Sequence, residues 1–85
     1  MKPLDFSPLA DDKWAYIVEH DRKLAEAIDH VFDRIESGAL PGQMFDNHAR
    51  FTTVRVHGRD EAYAVVWQVR DDHFYVVYVG RSPVG

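Results

Sequence analysis

The sequence predicts an α+β domain in the order β-α-α-β-β-β, with two helices packed on one face of an antiparallel sheet. Three observations predict it. Apolar residues recur with a helical period from Ala10 to Ile35. After a loop marked by Gly38, Pro41, Gly42 and Asn47, the period changes to two. The last strand candidate, residues 73–80, is rich in β-branched and aromatic side chains.

Each element follows in turn. Residues 2–6 place Leu4 and Phe6 two apart, a short strand with Pro3 at its start or on an edge. Ser7-Pro8 starts a helix: Ser7 caps it, and the missing N–H of Pro8 suits the first helical position. Asp11 and Asp12 then sit in the first turn, where the helix dipole favours anions. Ala10, Trp14, Ile17 and Val18 form one stripe; Leu24, Ala25, Ile28, Val31, Phe32 and Ile35 form a second. Asp21 lies between them, in a seam where one continuous helix would bury it at a cost. Two helices jointed at His20-Asp21, the second capped by Asp21, are the better reading. Ser37-Gly38 ends the second helix.

In the second half, residues 51–57 turn Val54 and Val56 to one face, with Thr53, Arg55 and His57 opposite. Gly58-Arg59-Asp60 is a turn. Residues 62–70 put Tyr63, Val65, Trp67 and Val69 on one face and Ala62, Ala64, Val66, Gln68 and Arg70 on the other. Asp71-Asp72 connects to the last strand. The face away from the helices is expected to carry Thr53, Arg55, His57, Gln68 and Arg70 as polar groups for a partner.

The chain has 85 residues, 46% of them apolar and 28% charged, which is one small globular domain. It has no Cys, so disulfides and thiolate metal sites are excluded. A domain this small lives on a thin stability margin, and a partner or a second copy is an expected support. The net charge of −4 argues against a broad nucleic-acid footprint. That charge is uneven. Residues 1–46 hold 10 acids and 5 bases, whereas residues 47–85 hold 4 acids and 5 bases, all Arg. No targeting segment is visible at the start and no apolar run approaches ~20 residues, so the chain reads as cytoplasmic.

Chemistry has few candidates. The five His lack zinc-ligand spacing, there is no phosphate-binding Gly loop, and no Ser or Thr stands in a nucleophile motif. No metal or cofactor is expected. What remains is Arg55, His57, Arg59, Glu61 and Arg81. Arg captures phosphate in a planar, bidentate way. A His beside phosphate and Arg can move the proton in RNA cleavage through a 2′-hydroxyl, with Glu61 as an alternative base. The candidate catalytic set is therefore Arg55, His57, Glu61 and Arg81. The candidate nucleic-acid contacts are Arg50, Arg55, Arg59, Arg81 and, for base stacking, Tyr75. The same residues also read as an acidic-partner surface, or as a solvated charged turn. Trp14, Tyr63 and Trp67 read as core.

Leu4-Asp5-Phe6, Ala10, Trp14 and the helix end Ile35-Glu36-Ser37 resemble the N-terminal half of RelE-like toxins. Residues 62–72, followed by Tyr78-Val79-Gly80-Arg81, are similar to that family's Gly-Tyr-Arg-Leu-Val-Tyr-Gln-Val segment, hairpin and Val-Gly-Lys-Arg strand end. The resemblance to the RelE/ParE superfamily implies the same element order and a toxin of a type II toxin–antitoxin pair. RelE-type members cut mRNA at the ribosome; ParE-type members poison DNA gyrase. The implied partner is a cognate antitoxin protein, with a homodimer or a hetero-oligomer as the assembly. Arg55 and His57 fall on the strand that supplies basic groups in the family, and Arg81 on its terminal basic pair. Three features depart from the pattern. The Arg after the motif Tyr is Ala64, the second base of the terminal pair is Ser82, and the segment with the family's active-site Tyr has no counterpart up to Gly85. The first reading is a RelE-like toxin that inhibits translation by mRNA cleavage; the alternatives are a ParE-like gyrase inhibitor without nuclease activity and, favoured by these departures, a non-toxic protein-binding module of the same fold.

Overall fold

The computed structural model describes residues 2–40, 42–44 and 48–82. The loop markers Pro41 and Asn47 lie outside them, as does Gly85. Strand β1 (Leu4–Phe6) leads into helices α1 (Pro8–His20) and α2 (Arg22–Glu36), followed by strands β2 (Gln43–Met44), β3 (Ala49–Arg55), β4 (Ala62–Val69) and β5 (Phe74–Arg81). The sheet order is β1-β5-β4-β3-β2.

Local chemistry sets the helix limits. The Ser7 hydroxyl accepts from the Ala10 N–H at 3.1 Å, and Pro8 opens the first turn. Asp21 leaves the helical region, at φ −143° and ψ 83°, and serves both helices. Its N–H donates to the Ile17 carbonyl, while its Oδ1 accepts from the Leu24 N–H at 3.3 Å. Gly38, at φ +79°, lets the chain leave α2, with the Leu40 N–H reaching back to the Arg34 carbonyl.

The sheet differs from the expected one in three ways. First, β1 joins β5 in parallel, Leu4 opposite Phe74, so the sheet is mixed. Helices α1 and α2 carry the chain from β1 at one edge to β2 at the other, and the antiparallel steps β2-β3-β4-β5 bring it back beside β1. Second, the loop before β3 contains β2, which pairs Gln43 with Phe51 and Met44 with Arg50. Third, the β4–β5 ladder slips. Val66 faces Tyr78 and Trp67 faces Val76, so Val77 is the extra residue of a bulge.

The core lies between the helices and the sheet face that carries Val54, Val56, Tyr63, Val65, Trp67, Val76 and Val79. Ile28, Phe32 and Ile35 of α2 and Ile17 of α1 close it. Phe6 and Trp14 meet the Phe32 ring edge to face at 5.3 and 5.0 Å. Trp14, Tyr63 and Trp67 thus belong to the core region, as expected. Val18 does not: it is 54% exposed. Eight residues at ~100° each carry it about 80° past Ala10, off the inward stripe that Ile17 keeps.

Candidate functional site

The seven candidate side chains are carried by β3, the β3–β4 turn and β5, and the fold disperses them. Arg55 and His57 line a wide groove of about 610 Å³ between α2 and the β3 edge. Its floor is Ala27, Val31, Val54 and Val56; Lys23, Glu26 and His30 rim it from α2. The Arg55 guanidinium donates to the Asp60 carbonyl at 3.3 Å and is otherwise turned to solvent.

Glu61 and Arg81 meet at the far end of the sheet. Arg81 Nη2 lies 3.6 Å from Glu61 Oε2, because Tyr63 and Arg81 are cross-strand partners and Glu61 precedes β4. The Tyr63 hydroxyl donates to Glu61 Oε1 at 3.2 Å. With Lys13, Tyr16 and Asp21 these groups line a hollow of about 230 Å³ between α1 and the sheet.

Arg59 is engaged in the architecture. Its Nη1 and Nη2 donate to Asp21 Oδ2 and Oδ1 at 2.7 and 2.8 Å, a bidentate pair, and Nη1 also reaches the Tyr63 hydroxyl at 3.3 Å. The hydrogen bonds from Arg59 hold the Asp21 carboxyl below its usual range, against a smaller opposing effect of burial. The same pairing, with Tyr63 second, raises the Arg59 guanidinium above its usual value. This pair ties the α1–α2 joint to the β3–β4 turn. The sequence shows Asp21 and Arg59 38 positions apart, with nothing to mark them as partners.

Arg50 stands beside Trp67 on the helix side of β3 and donates to the Ala49 carbonyl at 3.4 Å. Tyr75 lies at the opposite end of the sheet. The Arg70 guanidinium sits 5.3 Å from its ring centroid, and His73 meets it edge to face. His73 in turn pairs with Asp72 at 2.7 Å, which lowers the Asp72 carboxyl, and approaches Asp5 at 3.9 Å. Arg55 and His57 therefore share one concavity and Glu61 and Arg81 another, and neither holds all four.

The sheet face away from the helices has a different centre from the polar one expected. Thr53, Arg55, Gln68 and Arg70 lie toward its margins, while the middle is Ala62, Ala64, Val66 and Gly80. Ala62 and Ala64 are buried, 6% and 4% exposed. Ala64 sits at the centre, flanked by Thr53 and Gly80, and offers no charge to a phosphate. Among the described residues, no three potential metal ligands gather, and no helix is long and apolar enough to cross a membrane.

No family sequence model matches the chain, and no curated protein matches it by sequence. Solved structures do match its fold. It superposes on the YoeB dimer from Staphylococcus aureus with a TM-score of 0.67 and 22% identity, over 93% of this chain and 94% of that one. The YoeB–YefM complex from Staphylococcus aureus gives a TM-score of 0.66 and 21% identity, over 94% of this chain and 95% of that chain. A heterotetrameric YoeB–YefM toxin–antitoxin complex from Staphylococcus aureus gives 0.59 and 15% over the same shares. The likeness runs nearly end to end on both sides, and so the two helices on a mixed sheet described above are the RelE-like fold of the YoeB toxins.

Proposed function

We propose that this chain is the toxin subunit of a type II toxin–antitoxin module, RelE-like, inhibiting translation by mRNA cleavage and neutralised by a cognate antitoxin. The observation that carries the reading is the end-to-end likeness to YoeB, which is seen bound to YefM. The 3.6 Å approach of Arg81 to Glu61 supplies a cation and a base in one hollow. In that hollow Arg81 holds the phosphate, and Lys13 adds positive charge. Glu61 accepts the 2′-hydroxyl proton, the 2′-oxygen attacks phosphorus, and the 5′-oxygen leaves with a proton from water.

A second reading keeps the fold without the cut: a subunit that binds a protein target, gyrase among them, or that binds without toxicity. Ala64 at the centre of the open face, and the separation of Arg55 and His57 from Glu61 and Arg81, favour it.

Induced expression with transcript 5′-end mapping tests both. Cleavage predicts growth arrest, new transcript ends at ribosome-covered sites, and loss of both in Arg81→Ala and Glu61→Gln by about 10²-fold or more. Growth arrest with intact transcripts and a DNA-damage response selects the gyrase reading. No growth arrest at all removes the toxin. Relief by co-expressing the product of the adjacent reading frame identifies the antitoxin.

A further inference from the structure

Tyr63 belongs to the core by its ring, at 8% exposure, but its hydroxyl has a second setting. Tyr63 also lines the hollow that holds Glu61 and Arg81, and its hydroxyl stands between two charged side chains. Arg59 Nη1 lies 3.3 Å from it and Glu61 Oε1 3.2 Å. A guanidinium donates and never accepts, so the phenol oxygen takes a hydrogen from Arg59. The single phenol proton is then left for Glu61, whose ionised carboxylate only accepts. Chemistry fixes the direction of both bonds.

Arg59 is itself held. Its two Nη atoms are bound to Asp21 at 2.7 and 2.8 Å, and the second hydrogen of Nη1 is free for Tyr63. A chain of contacts therefore runs from the α1–α2 joint through Arg59 and Tyr63 to Glu61. It ends unevenly. Oε1 of Glu61 accepts a hydrogen bond, whereas Oε2 lies 3.6 Å from Arg81 Nη2, beyond direct hydrogen-bond distance. The Glu61 side chain is 40% exposed, and without a holder it would be free to change rotamer.

We propose that Tyr63 is a positioning residue for Glu61: its hydroxyl, aimed by Arg59, holds Oε1 so that Oε2 is the oxygen that takes the 2′-hydroxyl proton. The inference deepens the mRNA-cleavage reading and rests on it. The proton passes to Oε2 as the 2′-oxygen bonds to phosphorus. The 5′-oxygen leaves with a proton from water, and a 2′,3′-cyclic phosphate remains. Tyr63 keeps its own proton and touches no reacting atom. Its part is to hold the base in line with the attacking oxygen.

The test is single-turnover cleavage, by the purified full chain, of a 5′-labelled message seated on purified ribosomes. Tyr63→Phe removes the hydroxyl and keeps the ring. It is expected to fold, by circular dichroism, and to lower the maximal rate about tenfold, with the half-saturating concentration held within about twofold. In a Glu61→Gln background the same substitution is expected to change the residual rate by less than about twofold, because the base it serves is gone. A tyrosine that serves the fold alone costs the same factor in both backgrounds. Glu61→Asp is the second variant. It keeps an acid, changes a half-exposed side chain, and draws the carboxylate one methylene back from Tyr63; a loss of about tenfold or more in maximal rate is expected.

A folded Tyr63→Phe that cuts as fast as the unmodified chain overturns the inference. So does an equal loss in both backgrounds, or a loss that falls on half-saturation alone. If Tyr63→Phe does not fold, Glu61→Asp decides, and an undiminished rate overturns the inference. In each of these cases the unmodified chain still cuts, and the mRNA reading stands. An unmodified chain that leaves the message whole removes that reading and the inference with it.

Discussion

Asp21 ends one helix through its backbone N–H, and its carboxylate caps the next and anchors Arg59, so three elements meet at one residue. Its folded value is depressed, chiefly by the hydrogen bonds from Arg59. The stabilisation is therefore present above the unfolded carboxyl value of about 3.9 and is lost as pH falls through the folded value. Arg59, raised, stays charged on both sides of that window. Asp21→Asn keeps a capping side chain and removes the charge. Its deficit against wild type should be steady from about pH 8 to 5 and close below about pH 4. Urea midpoints across that range measure it, and a deficit that persists at the acid end refutes the account. Asp21→Ala should lose a further ~1 kcal/mol with the cap. Gly42 makes a second demand of a single residue. It sits at φ +74°, and a Cβ there would come within 2.5 Å of the Trp67 ring and 3.1 Å of the Phe51 carbonyl. Gly42→Ala should destabilise by about 1–3 kcal/mol, read by the same urea titration, because neither the indole nor the backbone can yield cheaply.

At the scale of elements, the bulge in β5 decides which side chains face the core. Val76 and Val79 both point inward although three positions separate them, because Val77 is an extra residue. Deleting Val77 removes only the extra residue and leaves Val76 and Val79 both inward in strict alternation, so cooperative thermal unfolding should survive with a shifted midpoint. Deleting Val66 from the regular part of β4 turns either Val65 or Trp67 out of the core and should abolish cooperative thermal unfolding. The helix boundaries were legible because they rest on nearest-neighbour chemistry: Ser7-Pro8, Asp21 and Gly38 act within one turn of themselves. The bulge and β2 were not legible, since each exists through a partner strand distant in sequence. Val18 was misplaced for a related reason. Period alone admits a wide stripe, and only the packing of α1 on β5 and α2 narrows it to Ala10, Trp14 and Ile17.

For the molecule as a whole, one core joins both halves, with Trp67, Ile28, Val65 and Val76 at 1% exposure or less. Trp67→Ala or Ile28→Ala should remove about 2–5 kcal/mol, most of the margin of an 85-residue domain, and leave the chain largely unfolded by circular dichroism at 37 °C. Arg55→Ala, exposed at the sheet margin, should change stability by no more than ~0.5 kcal/mol. Much of the architecture was already determined by the sequence: helix pair before sheet, the core aromatics, and an Arg-only basic set in the second half. Those features follow from period and composition, which are local properties. Only the tertiary structure decided how the candidate residues divide. It gave Arg59 to Asp21, Glu61 to Arg81, and Arg55 with His57 to the groove beside α2. It also set Ala64 at the centre of the open face. Side chains on neighbouring strands converge or diverge according to register, twist and the crossover, and those are settled by pairing across the chain, which spacing along it does not encode.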